Sequence, residues 1–307
     1  MSAIHIELGS ISMETRRLGG TDMDVSWLGF GAARIATDTG SPAAAERLLN
    51  TLLDSGVNYI DTAECYGESE ETLGKYISHR RDEYWLTTKC GHVAGDITAP
   101  EWTAAAVTQS VDQSLRRMQT DYIDLIHIHT CEADVLRQGD VLRALQDAQQ
   151  AGKTRYIGFS GDNEVALEAI GMGKFATLLT SFNVLDQRGL DEVLPAAEAA
   201  GMGIIAKRPI ANAAFNRPAS PYDYADAYWQ RAQHFTVPEG APADGVALAL
   251  RFCHSFDYID TAIVGIDSLE QLQSNTEQVA AGPLPPDVLA SLRTQFQEHG
   301  RDWPQLS

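Results

Sequence analysis

VNYID (57–61), YWLTTK (84–89) and YIDLIHIH (122–129) decide the fold of this chain. Each is a short apolar run that closes on a polar residue: Asp61, Lys89 or His129. Unbroken apolar runs of this length read as strands covered on both faces, whereas a half-exposed strand would alternate. Five more runs of the same kind lie outside them: SWLGFG (26–31), RYIGFS (155–160), TLLTSF (177–182), GIIAKR (203–208) and TAIVG (261–265). Within the quoted stretches the strands are NYID (58–61), YWLTTK (84–89) and DLIHIH (124–129). Helix-like segments separate all eight, so the reading is α/β, a (β/α)8 TIM barrel.

The helical gaps carry their own end signals. Ser41-Pro42 supplies an N-cap and a proline at the first helical position, and Gly56 ends that helix. Segment 103–118 puts Val107, Val111 and Leu115 on one stripe with Arg116 and Arg117 in the last turn. Segments 134–151 and 190–200 end at Gly152 and Gly201. METRRL and DVSWLG flank Gly19, Gly20, Thr21 and Asp22, which predicts a short N-terminal β-hairpin capping the barrel bottom. The whole chain, 1–307, reads as one domain, with 1–12 a dispensable extension. Residues 211–243 form a long loop after strand seven, rich in proline and tyrosine, placed as a lid or clamp.

The 307 residues hold 23 Lys and Arg against 42 Asp and Glu, a net charge of −19. Such a balance argues against nucleic acid or an anionic membrane as partner. No run reaches the roughly 20 apolar residues of a membrane span, and the N-terminus lacks a secretory pattern, so a cytoplasmic location is expected. Cys65, Cys90, Cys131 and Cys253 show neither disulfide nor zinc-finger spacing; the first three follow the second, third and fourth strands and read as unreactive lining of the pocket there. The sequence sets no oligomeric state.

In a parallel barrel the carboxyl ends of the strands share one rim, so Asp61, Tyr66, Lys89 and His129 meet there. A phenol of pKa near 10 holds its proton too tightly for neutral pH. An ammonium at Lys89 lowers that pKa, and Asp61 compensates the buried ammonium. His129 completes the site as hydrogen-bonding partner of a substrate carbonyl. Gly67 lets the loop after Tyr66 turn back.

DTAECYGESEETLG (61–74), TTKCG (87–91), DYIDLIHIH (121–129) and LGFG (28–31) together resemble the aldo-keto reductases. The resemblance runs from about residue 14 to about 280 and implies a barrel enzyme that binds NADPH, with NADH use open, and has no Rossmann domain. It implies a catalytic tetrad of Asp61, Tyr66, Lys89 and His129, with Tyr66 as proton donor and hydride passing from nicotinamide C4 to a small-molecule carbonyl, an aldehyde or ketone of sugar or aromatic type. Cofactor contacts carried over are Gly31, Asp61, Ser160, Asn183, Lys207, Arg208, Pro209, Asn212, Gly265, Gln271 and Asn275. Two positions depart from the pattern: Gly161 and Leu179 stand where the family has amide side chains, and Asn183 is read as the compensation. Gln271 stands where many relatives carry an arginine for the 2′-phosphate, with Asp267 adding negative charge nearby. Arg34, His92 and Trp102 are expected to wall the substrate pocket, with Trp303 from the tail. No metal is expected.

Two rivals remain. His127 and His129 share one strand face and, with Cys90, His92 and Cys131, admit a metal-dependent barrel hydrolase. A non-catalytic NADP-binding regulatory subunit on the same barrel is the other. Gly29-x-Gly31 lacks the rest of a dinucleotide fingerprint, and Gly152-Lys153-Thr154 lacks the glycine a P-loop needs and reads as a helix end.

Overall fold

Eight parallel strands close on themselves in the computed structural model, which describes residues 13–303 and 306. In chain order the elements begin with a hairpin, β1 (Thr15–Arg17) and β2 (Asp24–Ser26). The barrel strands are β3 (Leu28–Gly31), β4 (Tyr59–Asp61), β5 (Trp85–Cys90) and β6 (Ile123–Ile128). They continue as β7 (Thr154–Ser160), β8 (Thr177–Ser181), β9 (Gly203–Lys207) and β10 (Thr261–Val264). Neighbours follow chain order and β10 pairs back onto β3, so no barrel strand has a free edge. The predicted α/β barrel is the observed fold; the extension expected over 1–12 lies outside the described residues.

The hairpin pairs Arg16 with Val25 and plugs the end of the barrel where the strands begin. Leu18, Met23 and Val25 pack with Tyr59, Leu125, Leu179 and Ile205 in a cluster separate from the main core. Gly19 is required at the crossing: its φ is +48°, and an added Cβ would lie 2.1 Å from the amide nitrogen of Gly203. Asp260 anchors the same corner, accepting from the Gly19 and Ile204 amides at 3.2 and 2.9 Å.

Helices cover the outside. Ser41 caps the helix Pro42–Asp54 through the amide of Ala44, and Thr103 caps Ala104–Met118 through Ala106. Helix Ser69–Ile77 approaches Ala104–Met118 so closely that a Cβ on Gly74 would meet the Arg117 carbonyl at 2.1 Å.

Three readings need correction. SWLGFG is not one strand, because the chain leaves β2 at Ser26 and enters the barrel only at Leu28. Trp27 bridges the two, donating to Glu14 and accepting from Ala262. Segment 134–151 breaks at Gly139, whose φ of +76° ends helix Ala133–Gln138 before Asp140–Gln150 begins. Segment 190–200 contains only the helix Val193–Ala199, preceded by a 3-10 turn at Arg188–Leu190. The 211–243 loop carries structure of its own, including the helix Asp226–Ala232. Among the described residues no helix is long and apolar enough to cross a membrane.

Candidate active site

The carboxyl ends of β4, β5 and β6 bring the four predicted residues together. Lys89 is buried, and its Nζ donates to Asp61 Oδ2 at 2.6 Å and to the Thr62 carbonyl at 2.9 Å. Burial, the largest single influence, pulls the Lys89 pKa down, but Asp61 and Tyr66 together outweigh it and hold the pKa above the ordinary lysine value. The same ammonium lies 4.8 Å from the centre of the Tyr66 ring. Tyr66 is placed by a turn in which its amide donates to Ala63 and Gly67 takes a φ of +55°.

Lys89 lowers the Tyr66 pKa, as expected, yet burial acts more strongly, and the phenol stays above its usual value. His129 follows β6 and is held by a hydrogen bond from its amide to the Cys90 carbonyl. Burial, then the nearby Lys89 charge, pushes its pKa down to about 2, so the imidazole is neutral throughout the working pH range.

Rings extend this centre into a wall. Tyr66 and His129 meet edge to face with centres 6.1 Å apart. His92 stands 4.9 Å from His129 and 4.9 Å from Trp102. Trp102 lies over Gly91, where a Cβ would strike the indole at 2.1 Å. Arg34 follows β3, its guanidinium 5.4 Å from the ring centre of Tyr222 in the 211–243 loop. Trp303 instead packs against Phe235 and Phe296, and its carbonyl accepts from Arg188.

The residues assigned to the cofactor fall into three groups. Gly31 and Gly265 face one another where β3 and β10 end, a Cβ on Gly31 lying 3.7 Å from the Gly265 amide nitrogen. Bare backbone there, beside the buried Asp61 Oδ1 that has no partner among the described residues, leaves a cradle for a flat polar group. Ser160 is buried at the end of β7. Asn275 is buried on the helix Leu269–Ala280, whose N-terminus is capped by Ser268.

The second group is tied up by the protein. The Asn183 amide donates to the Arg208 carbonyl and accepts from the Leu185 amide, so it braces the chain. Lys207 reaches into the mouth, 3.1 Å from Asp162 and 3.5 Å from the Thr130 hydroxyl. Arg208 donates to the Leu306 carbonyl and the Tyr224 hydroxyl at 2.7 and 2.6 Å. The third group shapes loops: Arg208 and Asn212 hold φ of +56° and +54° on either side of Pro209. Gln271 accepts from the Asp267 amide at 3.1 Å.

Glu64 and Asp162 escaped sequence reasoning, and Cys65 was expected only as unreactive pocket lining. Glu64 lies inside the quoted DTAECYG motif and is buried, its Oε1 accepting from the His92 amide at 3.0 Å. Cys65 places its sulfur 3.8 Å from His129 Nδ1. Asp162 accepts from Thr180, Ser181 and Lys207. The hydrolase constellation does not assemble as drawn, because His127 is buried one layer below and bonds Thr177 at 3.1 Å. The group of metal-capable side chains within reach of one another, among the described residues, is Glu64, Cys65 and His129.

Comparison with known proteins agrees with this geometry. The sequence model described as "Aldo/keto reductase family" matches residues 27–295. L-galactose dehydrogenase of Arabidopsis thaliana is 30% identical over 286 residues, spanning 87% of this chain and 88% of that protein. The 6-dehydroglucose reductase of Novosphingobium aromaticivorans is 33% identical over 180 residues, 53% of this chain and 57% of its own. The holo form of an aldo-keto reductase from Bacillus halodurans superposes with a TM-score of 0.80 at 28% identity, covering 92% of this chain and 96% of that one. Barrel, rim and sequence agree: the chain belongs to the aldo/keto reductase family.

Proposed function

We propose that the chain reduces an aldehyde or ketone to an alcohol, with Tyr66 giving the proton to the carbonyl oxygen. The observation that carries this reading is the Asp61–Lys89 ion pair set directly against the Tyr66 ring. A buried phenol becomes a useful acid only where the phenolate it leaves is stabilised, and the Lys89 ammonium does that. Asp61 keeps Lys89 charged, and Thr62 fixes where the charge points. The neutral His129 imidazole offers a hydrogen bond to the carbonyl oxygen without competing for the proton. Trp102 and His92 exclude water from one side.

A nicotinamide cofactor, when bound, supplies the hydride. The bare Gly31–Gly265 edge, Ser160 and Asn275 fit such a group, and Asp61 Oδ1 has hydrogen-bonding capacity to spare. NADPH is the first assignment, from the family resemblance. One observation favours NADH: Gln271 turns its oxygen to the Asp267 amide, and neither side chain brings positive charge for a 2′-phosphate. The ratio of kcat/KM for the two cofactors separates them.

The relatives named for L-galactose and 6-dehydroglucose chemistry make a sugar carbonyl the first substrate class to assay, with aromatic aldehydes second. The test is a panel of both classes followed by nicotinamide absorbance, using wild type and Tyr66→Phe. Loss of the proton donor lowers kcat by roughly 100- to 10,000-fold. Equal turnover by the variant would favour the non-catalytic subunit reading.

A further inference from the structure

We propose that Glu64, Cys65 and His129 form a binding site for a soft divalent cation, zinc or cadmium, whose occupation clamps the imidazole and stops turnover. A carboxylate oxygen, a thiol sulfur and a ring nitrogen lie within 4.8 Å of one another. Tetrahedral coordination at about 2.0–2.3 Å places neighbouring ligand atoms roughly 3.5 Å apart. The Cys65 sulfur and His129 Nδ1, at 3.8 Å, already stand near that spacing. Glu64 has to close a gap of at most about 1.3 Å.

A second observation points to a missing ligand. Glu64 is 1% exposed, and its Oε2 has no hydrogen-bond partner among the described residues. Buried carboxyl oxygens are normally satisfied, so an orphan beside a thiol and an imidazole is an open ligand position. The mixed donor set suits zinc or cadmium better than magnesium or calcium, which take oxygen ligands. Lys89, Lys207 and Arg117 are nearby cations that oppose binding, and each is compensated by an acid, Asp61, Asp162 and Glu70 respectively.

Coordination forms a metal–sulfur bond and releases the Cys65 thiol proton to solvent. It pins the ring to Glu64 and Cys65 through Nδ1, so the imidazole can no longer follow a carbonyl oxygen beside Tyr66. A displacement of about an ångström at a reacting centre costs on the order of 100-fold in rate. The effect on turnover rests on the reductase reading; the binding does not.

The test uses the full chain, stripped of metal and titrated with cadmium, whose thiolate complex absorbs in the ultraviolet. The same preparation is assayed for carbonyl reduction with zinc or with EDTA. Expected is a band saturating near one equivalent and a zinc inhibition of about 100-fold reversed by EDTA. Cys65→Ser loses the band, and its turnover with zinc equals its own turnover in EDTA, while Glu64→Gln weakens cadmium affinity at least ten-fold. A band absent from wild type, or band and inhibition that persist in Cys65→Ser, overturns the proposal. A Cys65-dependent band in a protein with no turnover in EDTA sinks the reductase reading alone. Turnover indifferent to zinc with no band sinks the cation site alone.

Discussion

Replacing Lys89 by methionine isolates what the buried ion pair does. The side chain keeps its length and loses the Nζ that donates 2.6 Å to Asp61 Oδ2 and 2.9 Å to the Thr62 carbonyl. Asp61 Oδ1 already lacks a partner among the described residues, so the variant leaves a buried carboxylate with neither oxygen bonded to a cation. At 2.6 Å the gross attraction is about 6 kcal/mol for an effective dielectric near 20. Desolvation offsets part of that, and breaking a buried pair from one side costs about 3–5 kcal/mol.

For a chain of 307 residues, each kcal/mol moves the melting temperature by roughly 1.5–2 °C. Lys89→Met is therefore expected to melt about 5–10 °C below wild type. Asp61→Asn combined with Lys89→Met recovers part of the loss, because the orphaned charge is gone, with a coupling energy of about 2–3 kcal/mol. Thermal and urea unfolding of the four proteins close the cycle. Melting unchanged in Lys89→Met, or two single effects that simply add, refutes the argument.

Three further outcomes follow from other parts of the molecule. Gly74→Ala destabilises by about 1–3 kcal/mol, since its Cβ meets the Arg117 carbonyl and two helices must part; urea midpoints measure it. Gly171→Ala, in helix Asn163–Met172 with nothing within 4 Å of the new methyl, stabilises by about 0.5–1 kcal/mol. Asp260 tests pH linkage. Burial raises its folded pKa from 3.8 to about 6, so its contribution to stability is full below the unfolded value and is lost as pH rises through about 6. Asp260→Asn flattens the fall in melting temperature between about pH 4 and 6, and an identical slope in both proteins contradicts this assignment.

The apolar runs were enough to read all eight barrel strands, because a strand buried on both faces leaves a mark in composition. Their ends shifted by a residue or so, except at Trp27. There an apolar side chain continues the pattern while the backbone changes sheets, and hydrophobicity cannot register that. Gly139 was equally silent: a glycine inside a helical pattern signals its break only through the φ it adopts. The convergence of Asp61, Tyr66, Lys89 and His129 was legible because each ends or follows a strand, where topology fixes position.

Asn183 and Lys207 show the limit of that logic. Their places in the chain were read, but beyond the local bond from Leu185 their side chains turn to Arg208 and Asp162, contacts between separate strand ends that no local pattern encodes. Glu64 was hidden in plain view, and Cys65 was read only as pocket lining. Nothing short of the folded turn shows that they face His129 rather than solvent.

The central claim is that Tyr66 and its ion pair serve hydride transfer at the barrel mouth. Single-turnover mass spectrometry with cofactor deuterated at nicotinamide C4 and a sugar or aromatic aldehyde tests it most directly. Wild type should deliver deuterium to the carbonyl carbon of the alcohol, and Tyr66→Phe should bind the same cofactor yet form labelled alcohol at least 100-fold more slowly. Label reaching the product at equal rates in both proteins would contradict the account.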